Sequence, residues 1–124
     1  MRSRNADRAR EFAAWATERG VKTQIARGPV DVDVAINATP IGLDAHDPLP
    51  ADPTDLPGLR VALDLVYTRG ETRWVHAMRK HGVTAQDGRE MLVQQGAAAF
   101  ARFFPGIAAP VEVMRAAVQR ALRV

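Results

Sequence analysis

Apolar residues return every three or four positions in four stretches of the chain and run almost unbroken in several short stretches between them. Ala9, Phe12, Ala13 and Ala16 keep the helical period, with Asn5 set to cap the helix, Asp7 in its first turn and Gly20 at its end. Residues 71–81 predict a second helix that turns Trp74, Val75 and Met78 inward and begins near Thr72. Residues 90–104 predict a third, stopped by Pro105 and Gly106. Pro110 suits the first position of a fourth, whose stripe is Val111, Met114, Val118, Ala121 and Leu122, with Arg115, Gln119 and Arg123 outside.

Between the helices, residues 21–26, 32–39, 61–67 and 83–86 read as strands, and residues 1–5 as the tail of another. The stretch 61–67 is nearly all apolar, the pattern of a parallel strand covered on both faces. Strands alternating with helices predict βαβ units, and so an α/β fold of the Rossmann kind: a parallel sheet with flanking helices in one domain over residues 1–124. Residues 43–58 are rich in proline and aspartate and predict a long surface loop with a turn of helix near Thr54, of the sort that often covers a ligand site.

Composition narrows the classes. Apolar residues are 47% and charged residues 25% of the 124, as in a folded globular domain. No apolar run reaches the ~18 residues of a membrane span and no signal peptide opens the chain, so cytoplasmic is the expected location. Cysteine is absent, which removes disulfides, thiol catalysis and thiolate metal sites. The net charge is +3, with Arg2, Arg4, Arg8 and Arg10 the densest basic cluster. A solvated helix face is the usual meaning of such a cluster, phosphate binding the second. With aromatics at 6% and no stacking pattern, nucleic acid is not the expected partner.

Few residues could carry chemistry. His76 and His81 stand five apart, off the helical metal-pair spacing, and His46 lies in a polar loop, so no metal site is expected. Ser3 is the only serine and cannot anchor a hydrolase triad. The nine glycines include no G-x-G pair, so the glycine-rich dinucleotide turn is missing; a chain entering the fold at its second strand would lack that turn, and this one is expected to begin there. Gln95 shares a helix face with Met91, Leu92 and Ala99. A buried amide there would need a partner, either backbone or water or else a polar group on a ligand. Tyr67 at a strand end is ordinarily amphipathic core, and Asn37 and Thr39 ordinarily form turns.

In order along the chain, five segments resemble shikimate dehydrogenases. Ser3-Arg4-Asn5-Ala6-Asp7-Arg8 resembles the family's NRT-x-x-R, Asn37-Ala38-Thr39-Pro40-Ile41-Gly42 its NAT-P-x-G, and Asp64-Leu65-Val66-Tyr67 its D-hydrophobic-hydrophobic-Y. Thr68–Arg73 keeps Thr72 of x-P-x-x-T-P but neither proline, and the stretch from Asp87 through Gly96 resembles DG-x-GMLV-x-QA, with Glu90 and Gly96 as departures. The resemblance implies that Arg4 and Arg8, helped by Ser3 and Asn5, hold the 2′-phosphate of NADP. It implies that Leu65, Met91 and the Gly88 backbone lie by the nicotinamide, and that Tyr67 and Gln95 meet the substrate. Arginine in place of an acid agrees with NADP rather than NAD. Glu90 would crowd or repel an acidic substrate.

The activity implied is NADP-dependent reduction of 3-dehydroshikimate to shikimate, a step of aromatic amino-acid biosynthesis, with quinate as a variant substrate. The family pattern puts a catalytic lysine and aspartate in a separate N-terminal domain. Lys22 and Lys80 are the sole lysines and match nothing of it, so no catalytic residue is assigned and the chain alone is expected to be inactive. The alternative is a non-catalytic nucleotide-binding module, or one completed by self-association or by a partner chain at an open sheet edge.

Overall fold

The computed structural model describes residues 1–122, and Arg123, expected on the outer face of the last helix, lies outside them. Helix α1 (Ala6–Glu18) opens the chain, followed by strand β1 (Val34–Asn37), a single 3₁₀ turn (Pro53–Asp55), β2 (Val61–Asp64), α2 (Arg73–Lys80), β3 (Thr84–Gln86), α3 (Arg89–Phe103) and α4 (Val111–Leu122). The three strands form one parallel sheet in the order β1-β2-β3. Among the described residues no helix is long and apolar enough to cross a membrane.

Local chemistry sets the element ends. The Asn5 side chain accepts the Arg8 amide at the start of α1, and Thr72 accepts the Val75 amide at the start of α2. Gly20 and Gly82, each just past a helix, adopt positive φ (75° and 77°), a conformation that costs glycine nothing. The register sets Ala35, Ala62 and Ala85 in one row across the sheet, and that row packs under Trp74, Val75 and Met78 of α2. Small residues let helix and sheet approach closely, and Leu56 closes the cluster from the loop.

Three expectations are corrected. Residues 21–26 are extended but form no strand: their ladder-like bonds are two with Met1, whose ammonium donates to the Gln24 carbonyl (2.5 Å) and whose carbonyl accepts from Ala26 (2.9 Å). One residue of partner backbone is too little for a ladder. The sheet is covered on one face only, since Val34, Ile36 and Val61 on the other face are exposed. On α1, Phe12 is exposed where the period turned it inward; Ala9 and Ala16 are the buried residues, and Phe12 stacks on exposed Trp15 with ring centroids 5.5 Å apart.

Candidate functional site

All three strands point their carboxyl ends at the same edge, so the segments after Asn37, Asp64 and Gln86 meet there, the usual place for a ligand on an open α/β sheet. Asp64 anchors that edge. Its carboxylate is fully buried and accepts from Asn37 Nδ2 (2.8 Å), the Val66 amide (3.1 Å) and the Thr72 hydroxyl (2.7 Å). Asn37 Nδ2 donates also to the Ile41 carbonyl (3.0 Å), while its Oδ1 accepts from the amide and hydroxyl of Thr39. One buried carboxylate thus fixes the turn after β1, the turn after β2 and the start of α2.

Gly88 locks the third segment to the second. A Cβ on it would lie 2.4 Å from the Leu65 carbonyl oxygen, and its amide donates to the Val66 carbonyl (3.3 Å). Its φ is an ordinary −75°, so the glycine is required by close approach of backbone rather than by conformation. The group that a side chain there would strike is the chain's own Leu65. Leu65 and Gly88, expected together, are together.

The opening segment forms a second wall. A cavity of about 640 Å³ is lined by Ser3, Arg4, Arg10, Arg27, Thr39 and Ile41, among others, so residues 3–4 and the turn after β1 face a common space. The acceptor oxygens of Ser3 and Asn5 are engaged locally, Ser3 Oγ by the Asn5 amide (3.2 Å) and Asn5 Oδ1 by the Arg8 amide (3.0 Å). Of these two only Ser3 lines the cavity, with the Arg4 guanidinium and the first turn of α1 at Ala6 and Ala9; Asn5 does not, and Asp55, paired with Arg2, puts a carboxylate on the same wall. Arg8 is exposed and does not line this cavity, whereas Arg10 does. The helical period explains it, since residue 10 returns to the face of Ala6 while residue 8 sits across the helix. Arg10 and Arg27 are therefore additions that this spacing could have supplied in part. Nearby, the Gly42 and Asp44 amides hold the Asp47 carboxyl below the usual carboxylate range, and Arg4 and Arg73 add to this.

Tyr67, Met91 and Gln95 are exposed. Gln95 is thus no buried amide, and it has no hydrogen-bond partner among the described residues; its neighbour Gln94 donates to Glu90 (2.7 Å). Glu90 does not stand free to repel a substrate. Arg115 of α4 grips it through Nε (2.9 Å) and Nη2 (2.7 Å), and these bonds, then the one from Gln94, pull its carboxyl down to about 2. Arg115, expected to point outside, is the clamp between α3 and α4.

Most of the chain is similar to known proteins. The profile described as the Shikimate 5'-dehydrogenase C-terminal domain matches residues 88–119. The NADP(+) shikimate dehydrogenase of Methanothrix thermoacetophila is 47% identical over 90 residues, 73% of this chain and 33% of its own length. Among solved structures, the shikimate 5-dehydrogenase of Thermus thermophilus in complex with NADP(H) and shikimate superposes with a TM-score of 0.79 at 31% identity, over 98% of this chain and 45% of that one. The ligand-free 5-ketofructose reductase of a Gluconobacter species gives a TM-score of 0.80 at 25% identity, over 97% and 46%. The chain spans a third of the first of these and under half of the other two. By sequence and by fold it belongs to the shikimate dehydrogenase family, of whose full length it carries a part.

Proposed function

We propose that residues 1–124 form the cofactor-facing portion of an NADP-dependent shikimate dehydrogenase, resembling the later part of its NADP-binding domain with the C-terminal helices. The observation that carries this is the cavity that Ser3 and Arg4 share with Thr39 and Ile41 at the carboxyl edge of the sheet. Its wall offers donors and guanidinium groups beside a helix N-terminus, a donor set that suits a phosphate monoester. Ser3, Arg4 and Asn5 would hold the 2′-phosphate, with Arg8 contributing at longer range from the exposed side of α1.

NADPH, when bound, supplies the hydride. The chain's own residues orient it: Leu65 and the backbone at Gly88 form a rigid floor because each fixes the other, and Asp64 keeps that floor in register with the turn at Thr39. Met91, Tyr67 and Gln95 are exposed, and the Tyr67 hydroxyl and the Gln95 amide would meet hydroxyls of shikimate or 3-dehydroshikimate. No side chain here is assigned the proton transfer, so by itself the chain reduces no substrate. The ketofructose reductase likeness favours a second substrate class on the same scaffold, and both ketones belong in the assay.

Nucleotide titration tests the reading. Arg4→Ala should weaken NADPH binding about tenfold or more, the scale of a lost charge-assisted phosphate contact, and leave NADH binding unchanged. Equal loss for both nucleotides, or no loss for either, would remove Arg4 from the phosphate and the NADP assignment with it.

A further inference from the structure

The loop after β1 is knotted on one carboxylate. Asp47 Oδ2 accepts from the Gly42 amide (2.8 Å) and the Asp44 amide (3.2 Å). Ile41, just before Gly42, lines the cavity that Arg4 also lines, so this carboxylate is bonded one residue beyond that wall. Arg4 forms no ion pair among the described residues, whereas the acid on the wall itself, Asp55, is paired with Arg2. After the two amides, the charges of Arg4 and Arg73 help to hold the Asp47 carboxyl below its usual range. An acid that reached Arg4 would compete with a phosphate for it.

One side chain holds the knot from outside. Arg73 Nη1 donates to the Ala45 and Asp47 carbonyls, both at 2.8 Å. Arg73 stands where the family's x-P-x-x-T-P has its second proline. The backbone here suits proline, since Arg73 is the first residue of α2 and follows Thr72 at φ −69° and ψ 148°. The helix start therefore does not need an arginine. The loop uses it.

We infer that Arg73 is a positioning residue that sets nucleotide specificity through Asp47: its grip keeps the Asp47 carboxylate on the Gly42 and Asp44 amides and leaves Arg4 to the 2′-phosphate of NADP. Without that grip the knot has only its own bonds, and the guanidinium charge that drew Asp47 toward α2 is gone. The carboxylate then divides its time between two amides and Arg4. While it sits on Arg4 the phosphate has lost its partner, so the apparent affinity falls with the fraction of chains left competent. NADH carries no 2′-phosphate and does not sense the exchange. This role rests on the nucleotide reading of the cavity and adds to it what keeps Arg4 available.

Titrating NADPH and NADH against a double-mutant cycle tests it. Arg73→Pro should weaken NADPH binding about threefold to fivefold, the range of a surface ion pair that masks Arg4, and leave NADH binding unchanged. Arg73→Ala, which does not alter the ring constraint at the helix start, should show the same selective loss. Arg73→Lys, whose ammonium can donate to both carbonyls, should stay within about twofold of the parent chain. Asp47→Asn keeps an oxygen for the two amides and removes the charge, so adding it to Arg73→Pro should restore NADPH affinity. A merely structural arginine would give no such rescue, and an unrescued double variant overturns the inference. Equal losses for both nucleotides, or no loss for either, overturn it too. A parent chain that binds NADPH no better than NADH removes the nucleotide reading, and this role with it, before any substitution is made.

Discussion

Asp64 is a carboxylate with no exposed surface, satisfied by an amide side chain, a hydroxyl and a backbone N–H rather than by a cation. Replacing it with alanine strands the Val66 amide and the Thr72 hydroxyl in a buried place, each worth roughly 1–3 kcal/mol. Asp64→Ala should therefore lower stability by about 3 kcal/mol or more, read as a fall in the urea midpoint; a change under ~1 kcal/mol would mean that water replaces the carboxylate. Thr72→Val removes the α2 cap along with one of these bonds and should cost about 1–2 kcal/mol. Gly88→Ala sets a methyl 2.4 Å from the Leu65 oxygen, so the turn must shift, at a cost of about 1–3 kcal/mol by the same urea measurement. Motif spelling alone singled out Gly88 and Leu65. It could not reveal that each is the other's constraint, nor join Asn37 to Asp64, because that contact exists only once β1 and β2 are in register.

At the scale of elements, the helical period located all four helices and the caps at Asn5 and Thr72. It failed where it had to decide what each helix faces. The stripe of α4 is half-buried rather than fully buried, and Arg115, which spans Glu90 and Glu112, adds an ion pair to α3. That ion pair is partly exposed, so salt screens it. The Glu90 carboxyl sits near 2 in the folded chain against an ordinary 4.5, so its stabilising effect is full above about pH 4.5 and fades as pH falls toward 2. Amides of α4 should lose exchange protection over that window, while those of β2 stay protected until global unfolding. Glu90→Gln should make α4 protection, taken relative to the intrinsic exchange rate, independent of pH there; protection that still falls with pH in that variant would assign the effect to another carboxylate.

For the whole molecule, alternation of strand and helix was enough to predict a parallel α/β sheet, and the sheet is parallel. Missing from the pattern was the extent of cover. An apolar run such as 61–67, interrupted only by Asp64, signals a strand that is suited to burial on both faces, yet within the described residues only one face has a helix on it. Tyr67, Met91 and Gln95 are likewise exposed. The central claim is that the edge where the strands end is one nucleotide site, built from segments far apart in sequence. Backbone chemical shifts recorded while NADPH is added test it most directly. Shifts should concentrate at residues 3–5, Thr39, Leu65 and Gly88 together, with those at 3–5 much smaller for NADH; shifts confined to one of these segments, or centred on Glu71, His76 and Ala77, would contradict it.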